Sequence, residues 1–285
     1  MNELIVNLAP TGMIPTKEMT SFVPVEPKEV IDDVLACCEI GITMVHIHTR
    51  DNKGDPNWRP EIFEEIIVNI RKYQPELIIC VTCSGRTYQE FEKRSAVLDL
   101  EGKAKPDMAS LTLSSVNFNK VASINEPKMI IALAEKMKEK RIKPELEAFD
   151  LGMINYAKYL IKRDLLDPPY YFNLLFGNIA CAQANLLSIG LMEKELPNES
   201  ICSFAGIGDT QLMVNSLAVV VGAGVRIGLE DNIWFDSKRT VLASNKQLLE
   251  RIKRIAADCE RRIMKPADAR KILKLQKPEF GYGLI

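Results

Sequence analysis

The chain has only two histidines, and they stand two residues apart, His46 and His48 in MVHIHTRD. On a strand that spacing aims both rings to one face, with their backbone positions about 7 Å apart. From there two imidazole nitrogens can converge on one divalent cation at roughly 2.0–2.1 Å, the distance zinc takes. The alternative is a pair of core histidines bonded to backbone carbonyls; two on one face at the end of a strand favour the metal. A catalytic zinc keeps one position open and wants a third protein ligand. VRIGLEDN, late in the chain, offers the adjacent Glu230 and Asp231. Glu230 shares strand parity with Arg226 if the strand persists that far. A carboxylate on the metal and a cation then point together, leaving Asp231 free as a base. Taken alone, the same acids serve equally well as an acidic loop opening a helix.

Other polar groups fall where strands should end. Thr82 is followed by Cys83-Ser84-Gly85, whose backbone N–H groups can hold a carboxylate, and Ser110, Thr112, Ser114 and Ser115 populate the next strand and its exit. Each is equally an ordinary polar loop residue. Glu145 and Glu147 sit two apart in PELEAFD. A barrel strand has no solvated face, so both cannot easily be exposed and one of them is expected to line the cavity; a buried carboxylate without partners is costly. Cys80 and Cys83 form one CxxC, but residues three apart on a strand face opposite ways and no second pair exists, so it is set aside. No GxSxG or GxxxxGK[ST] occurs, and the short turn Ala205-Gly206-Ile207-Gly208 is a weak phosphate signal.

These residues need elements to carry them. Short β-branched runs occur at Leu4–Leu8, Met44–His48, Leu77–Thr82, Met108–Leu113, Lys143–Ala148, Tyr170–Phe176, Ile201–Ala205 and Gly224–Ile227. Amphipathic stretches separate them. Pro27 suits a first helical turn, Val30, Val34 and Cys38 recur at four-residue spacing, and Gly41 is the stop. Ile62, Phe63, Ile66, Ile67 and Ile70 mark the next helix; Asn125 is placed to cap a helix from Glu126 to Lys140; Leu248, Ile252 and Ile255 mark a late one. Eight strand–helix units of about 35 residues account for the length. A doubly wound sheet would advertise a Gly-rich turn after the first strand, and APTGMIPT has a single glycine. The expected fold is therefore a single-domain TIM (β/α)8 barrel over residues 1–285, with its site at the C-terminal ends of the strands.

The composition agrees with an ordinary globular protein: 285 residues, 47% hydrophobic, 26% charged, with net charge −1 and no basic block. Nucleic-acid binding needs a basic footprint and is not expected. The longest apolar run, Leu217 to Val225, is far shorter than a membrane span of roughly 20 residues. MNELIVNLAP lacks a basic leader, so no signal peptide is expected. Seven cysteines, an odd number, suit free thiols in a reducing cytoplasm.

Several of these pieces recur together in one family. VHIHTRD with Gly54 and Pro56 following, PELEAFDLGM, AGIG, VRIGLEDN and SNKQL at Ser244–Leu248, with the earlier Thr11-Gly12, stand in an order and spacing that resemble the β-keto acid cleavage enzymes. The likeness spans nearly the whole chain. It implies a zinc-dependent TIM-barrel acyltransferase, usually a homotetramer, that condenses a β-keto acid with acetyl-CoA and releases acetoacetate and a new acyl-CoA. By motif matching it implies His46, His48 and Glu230 as zinc ligands, and Asp231, positioned with Arg226, as the base. It also implies Thr82, Gly85 and Ser110 as the cradle of the substrate carboxylate; Glu147 is the candidate substrate-side acid on the fifth strand.

Three departures mark this chain. Where the amino-substrate branch of the family has a glutamate after the first strand, this chain has Ile14, which cannot pair with an ammonium; a neutral or apolar β-keto acid is expected. The Gly-rich loop after strand six reads GNIACAQAN, and Asp209 follows AGIG where an arginine is common. Two further readings stay open on the same scaffold: a CoA-independent metal-dependent lyase or hydrolase, and a catalytically silent small-acid-binding protein.

Overall fold

The structure, a computed structural model, describes residues 3–285. Eight parallel strands close into a barrel: β1 Val6–Leu8, β2 Met44–Ile47, β3 Ile78–Val81, β4 Met108–Thr112, β5 Lys143–Ala148, β6 Tyr170–Phe176, β7 Ser200–Gly206 and β8 Gly224–Ile227. β8 returns to pair with β1, Arg226 opposite Asn7. Each expected strand is present, within one or two residues of its expected bounds. The surrounding helices are α1 Pro27–Ile40, α2 Pro60–Tyr73, α3 Phe91–Ser95, α4 Pro127–Glu139, α5 Leu151–Lys162, α6 Leu186–Lys194, α7 Gln211–Val221 and α8 Asn245–Asp258, with α9 Pro266–Ile272 beyond them. No helix among the described residues is long and apolar enough to cross a membrane.

Alternation along each strand divides the molecule into two cores. Val45, Ile47, Ile79, Val81, Leu111, Leu146, Val225 and Ile227 point outward into the layer beneath the helices. Ile5, Met44, Ile78, Met108 and Tyr171 point inward and form an apolar floor. Two residues further along the same inward rows stand Asn7, His46, Cys80, Ser110 and Asn173, all buried, with the buried Glu145 of β5 level with Ser110. The lower half of the barrel is thus oil and the upper half is polar, which places the chemistry at the C-terminal mouth.

The floor is locked from below by Asp107. Its carboxylate accepts hydrogen bonds from Arg71 Nη2 (2.9 Å), Arg270 Nη1 and Nη2 (2.8 and 2.9 Å), and the backbone N–H groups of Ile79 (3.0 Å) and Gly283 (3.3 Å). Burial opposes that charge, but the two guanidiniums outweigh it and hold the carboxyl below its usual range. The tail, α9 and α2 are thereby tied to the foot of β4.

Three local expectations are corrected. α4 starts at Pro127 with Glu126 as its N-cap. Asn125 instead bridges loops, accepting from Arg94 Nη2 at 2.6 Å and donating to the Ser114 carbonyl at 3.1 Å. On α1 the residue that continues the buried Val30–Val34 row is Cys37, with Cys38 half-buried beside it. β8 ends at Ile227, so Glu230 reaches the mouth through a bend at Gly228 rather than by strand parity.

Candidate active site

At the mouth the two imidazoles meet. His46 Nε2 lies 3.2 Å from His48 Nε2, and His48 Nε2 lies 3.3 Å from Glu230 Oε1. One donor atom from each of these three residues falls within 4.8 Å of the others. Two observations test whether they suit a metal. Glu230 Oε2 is buried with no hydrogen-bond partner among the described residues, an orphaned acceptor of the kind a cation satisfies. Two imidazole nitrogens aimed at one another from adjacent alternate positions also share a focus with that carboxylate, which is a donor set zinc accepts. The residues fit.

Gly12 makes room for this ligand. It sits at φ +62°, and a Cβ there would come within 2.8 Å of the Glu230 Cβ. The turn bearing it is pinned by Arg50, whose guanidinium donates to the Gly12 carbonyl at 2.7 and 2.9 Å and to the Pro15 carbonyl at 3.2 Å. Ile14 rides on the same turn, half exposed.

A carboxylate stands behind His46. Glu145 Oε2 accepts from His46 Nδ1 at 2.6 Å and from the Cys80 thiol at 3.2 Å, and Glu145 Oε1 accepts from Asn7 Nδ2 at 2.7 Å. This pairing fixes the tautomer that turns the Nε2 lone pair toward the focus. His46, Cys80 and Glu145 are close enough to suggest a second metal group. Their atoms already satisfy one another by hydrogen bonds, so nothing there needs an ion. Burial opposes charge on His46, yet Glu145 and Glu230 overcome it and raise the imidazole to about 9; burial prevails at His48 and lowers it. Glu145 was legible only as one of a pair. Its neighbour Glu147 also points inward, accepting from Thr112 Oγ1 at 2.7 Å.

Arg226 gathers the acids. Its Nη1 reaches Glu147 Oε1 (3.1 Å), Nη2 reaches Glu230 Oε1 (2.6 Å), and Nε reaches Asp231 Oδ2 (3.1 Å). Asp231 is therefore not free but oriented, and the Gly208 N–H holds its carbonyl at 2.7 Å. Burial and the charge on Glu230 lift the Asp231 carboxyl to about 6 against the pull of Arg226. A carboxylate tuned that close to neutral pH is suited to take and return a proton.

The loop after β3 is more self-contained than its sequence suggests. The Cys83 N–H donates to Ser110 Oγ (3.0 Å), the Ser84 N–H to Thr82 Oγ1 (3.2 Å) and the Arg86 N–H to Ser84 Oγ (3.3 Å). Of these successive N–H groups only that of Gly85 has no acceptor among the described residues. The Thr82 and Ser110 hydroxyls keep their own protons to donate. Cys80 faces the barrel interior and Cys83 the outer core, as their spacing requires. In the AGIG turn the Ile207 and Gly208 N–H groups go to Phe176 and Asp231, which removes the phosphate reading. Asp209 faces Arg239 across 3.4 Å. A cavity of about 450 Å³ lies at the opposite end of the barrel, beside Gly41, Leu77 and Met264, remote from all these groups.

Comparison with known proteins shows the family. A family model described as beta-keto acid cleavage enzyme matches residues 3–275. A 3-oxoadipate:acetyl-CoA acetyltransferase from Cupriavidus necator is 33% identical over 279 residues, covering 97% of this chain and 96% of that protein. A 3-keto-5-aminohexanoate cleavage enzyme from Fusobacterium nucleatum subsp. nucleatum is 32% identical, covering 97% of this chain and all of that protein. Among solved structures, a ternary complex of ObcA with a C4-CoA adduct and oxalate superposes with a TM-score of 0.77 at 19% identity, over 89% of this chain and 68% of that one; this likeness concerns the barrel fold. With the family model matching nearly end to end, the chain is an enzyme that belongs to the beta-keto acid cleavage enzymes.

Proposed function

We propose that this enzyme condenses a β-keto acid with acetyl-CoA and yields acetoacetate and a new acyl-CoA, using a zinc ion held by His46, His48 and Glu230. The observation that carries the reading is the convergence of both imidazole Nε2 atoms and a partnerless Glu230 oxygen beside a carboxylate raised to about 6. Relatives named as acetyl-CoA-dependent transferases of keto acids support the choice of co-substrate. Bound zinc would act as a Lewis acid that polarises the keto oxygen of the substrate.

Asp231 removes a proton from the carbon between the ketone and the carboxylate, and Arg226 holds it in register through Nε. The resulting enolate carbon attacks the thioester carbonyl of acetyl-CoA. The released thiolate adds to the former ketone carbon, the bond between that carbon and the newly acetylated carbon breaks to release the acyl-CoA, and Asp231 returns its proton to the acetoacetate enolate that leaves. Glu145 keeps His46 turned toward the focus throughout. Thr82, Gly85 and Ser110 cradle the substrate carboxylate, through two hydroxyl protons and the unspent Gly85 N–H, with Glu147 held beside them by Thr112 and Arg226. Ile14 offers no partner for an ammonium, so the variable end of the substrate is neutral or apolar.

We further expect a homotetramer in the cytoplasm. Leu186, Leu187 and Leu191 on α6 and Met213, Val220 and Val221 on the uncharged α7 are exposed on neighbouring helices, an apolar face suited to a second copy. All seven cysteines are unpaired, in keeping with a reducing compartment.

The test is a panel of β-keto acids incubated with zinc-loaded protein, with and without acetyl-CoA, followed by assay of acetoacetate. Acetoacetate that appears only with acetyl-CoA is the expected result. Turnover without CoA means a lyase or hydrolase; no turnover on any acid means a binding protein.

A further inference from the structure

The mouth collects four carboxylates, Glu145, Glu147, Glu230 and Asp231, around one buried guanidinium. Adding a divalent metal still leaves an excess of negative charge, yet a β-keto acid arrives as an anion. The neutral donors of Thr82, Gly85 and Ser110 cannot by themselves offset that repulsion, so a cation is needed near them.

Arg86 is the residue in that position. It follows Gly85 directly, and its own N–H is fixed by Ser84. Its guanidinium carbon lies over the ring of Phe118, 3.6 Å from the centroid, and that ring packs edge-on against Phe149 at 5.8 Å. Those two rings come from the loop after β4 and the end of β5, so the platform spans the third, fourth and fifth strand exits. Stacking occupies only the face of the guanidinium and leaves the in-plane N–H fork open. Among the described residues no hydrogen bond or ion pair reaches that fork. The other buried arginines at this end are spent: Arg226 on three acids, Arg50 on three carbonyls, and Arg94 on Cys83, Ile124 and Asn125. Arg86 is half-buried and feels the fields of Glu230, Glu147 and Asp231, which sets it at the mouth rather than out in solvent.

We propose that Arg86 is a specificity-determining residue, its unspent planar fork receiving the substrate carboxylate as a bidentate pair above the Thr82–Gly85–Ser110 cradle. The proposal rests on the reading of the enzyme as one that takes β-keto acids. It makes the loop after β3 the recruiter of the anion and leaves the acyl-CoA to other loops. An Arg–carboxylate fork also fixes the plane of the carboxylate, and with it the orientation of the adjacent carbon that Asp231 must reach.

The experiment uses zinc-loaded enzyme and the variants Arg86→Met and Arg86→Lys, titrated calorimetrically with acetoacetate and, separately, with acetyl-CoA. Arg86→Met is expected to weaken acetoacetate binding by about 10- to 100-fold, the range for losing a hydrogen bond between charged groups, with acetyl-CoA affinity and metal content unchanged. Arg86→Lys restores charge without the fork and should recover only part. Unchanged acetoacetate binding overturns the proposal, as does a loss that falls on acetyl-CoA instead. If wild-type, metal-loaded protein binds no acetoacetate, the β-keto acid reading itself fails and takes this proposal with it. If the wild type turns over keto acids and Arg86→Met does so with the same KM, only the role of Arg86 fails.

Discussion

Replacing Glu145 with glutamine separates two effects that the site superimposes. In the metal-free protein His46 is held up to about 9 by Glu145 and Glu230. A metal must displace the Nε2 proton, so below pH 9 each unit of pH costs the wild type about tenfold in apparent affinity, about 1.4 kcal/mol. At pH 7 that competition amounts to roughly 100-fold. Glu145→Gln removes the nearest carboxylate from Nδ1, at 2.6 Å in the wild type, and burial then carries the imidazole down toward or below its ordinary 6.5. The proton penalty vanishes between pH 7 and 9. The variant also loses the charge-assisted bond that orients the ligand, a change typically worth about 10- to 100-fold in metal affinity. At pH 9 the variant should therefore bind zinc about 10- to 100-fold more weakly, and at pH 7 it should match the wild type or exceed it by up to about tenfold. Competition against a chromophoric chelator at pH 7, 8 and 9 measures both lines. Parallel lines, or a wild-type affinity flat across that range, would refute the reasoning. The same linkage fixes a sign for the metal-free fold: a proton held by His46 in the folded but not the unfolded chain stabilises fully below about 6.5, and that stability is lost as pH rises through about 9.

Asp231→Asn should keep stoichiometric zinc by elemental analysis while lowering kcat by about 10²–10⁴, the usual worth of a positioned base; an unchanged rate would remove Asp231 from that role. Asp107→Ala strands the Arg71 and Arg270 guanidiniums in the floor and should cost about 3–5 kcal/mol in urea unfolding. A loss under about 1 kcal/mol would mean the clamp is ornamental. Asp33 is half-buried beside Asn245, and burial raises its carboxyl from 3.8 to about 6. Being raised, its contribution is present below about pH 4 and lost through about pH 6. Asp33→Asn should then match the wild type at pH 4 and exceed it by about 1–2 kcal/mol at pH 8, after allowance for solvent screening. Equal denaturation midpoints at pH 8 would contradict this.

The barrel was readable because parallel strands buried on both faces show as compact β-branched runs, and eight of them at one period leave few alternatives. His46 and His48 stood out for the same reason: two-residue periodicity is strict even where β2 stops at Ile47. Other features depend on pairings far apart in the chain. The bond from Glu145 to His46 spans 99 residues, and no local pattern distinguishes Glu145 from Glu147, since both share one parity. Glu230 reached its place by a bend that strand parity does not encode. The loop after β3 seemed to offer a row of free N–H groups because Ser110, on the neighbouring strand, supplies an acceptor that sequence order hides. Arg86 carried no spacing signal; what marks it is the absence of a partner, visible only once every other buried or half-buried guanidinium has been matched.

Asp107 depends on partners made 163 and 176 positions later, in Arg270 and the Gly283 amide. During synthesis, therefore, a nascent polypeptide emerging to the end of α8 carries every acid, imidazole and strand of the mouth but an unsealed base. Those later residues supply the bolt, so a chain cut before Arg270 would keep its catalytic machinery complete on a fold that quality-control proteases can open.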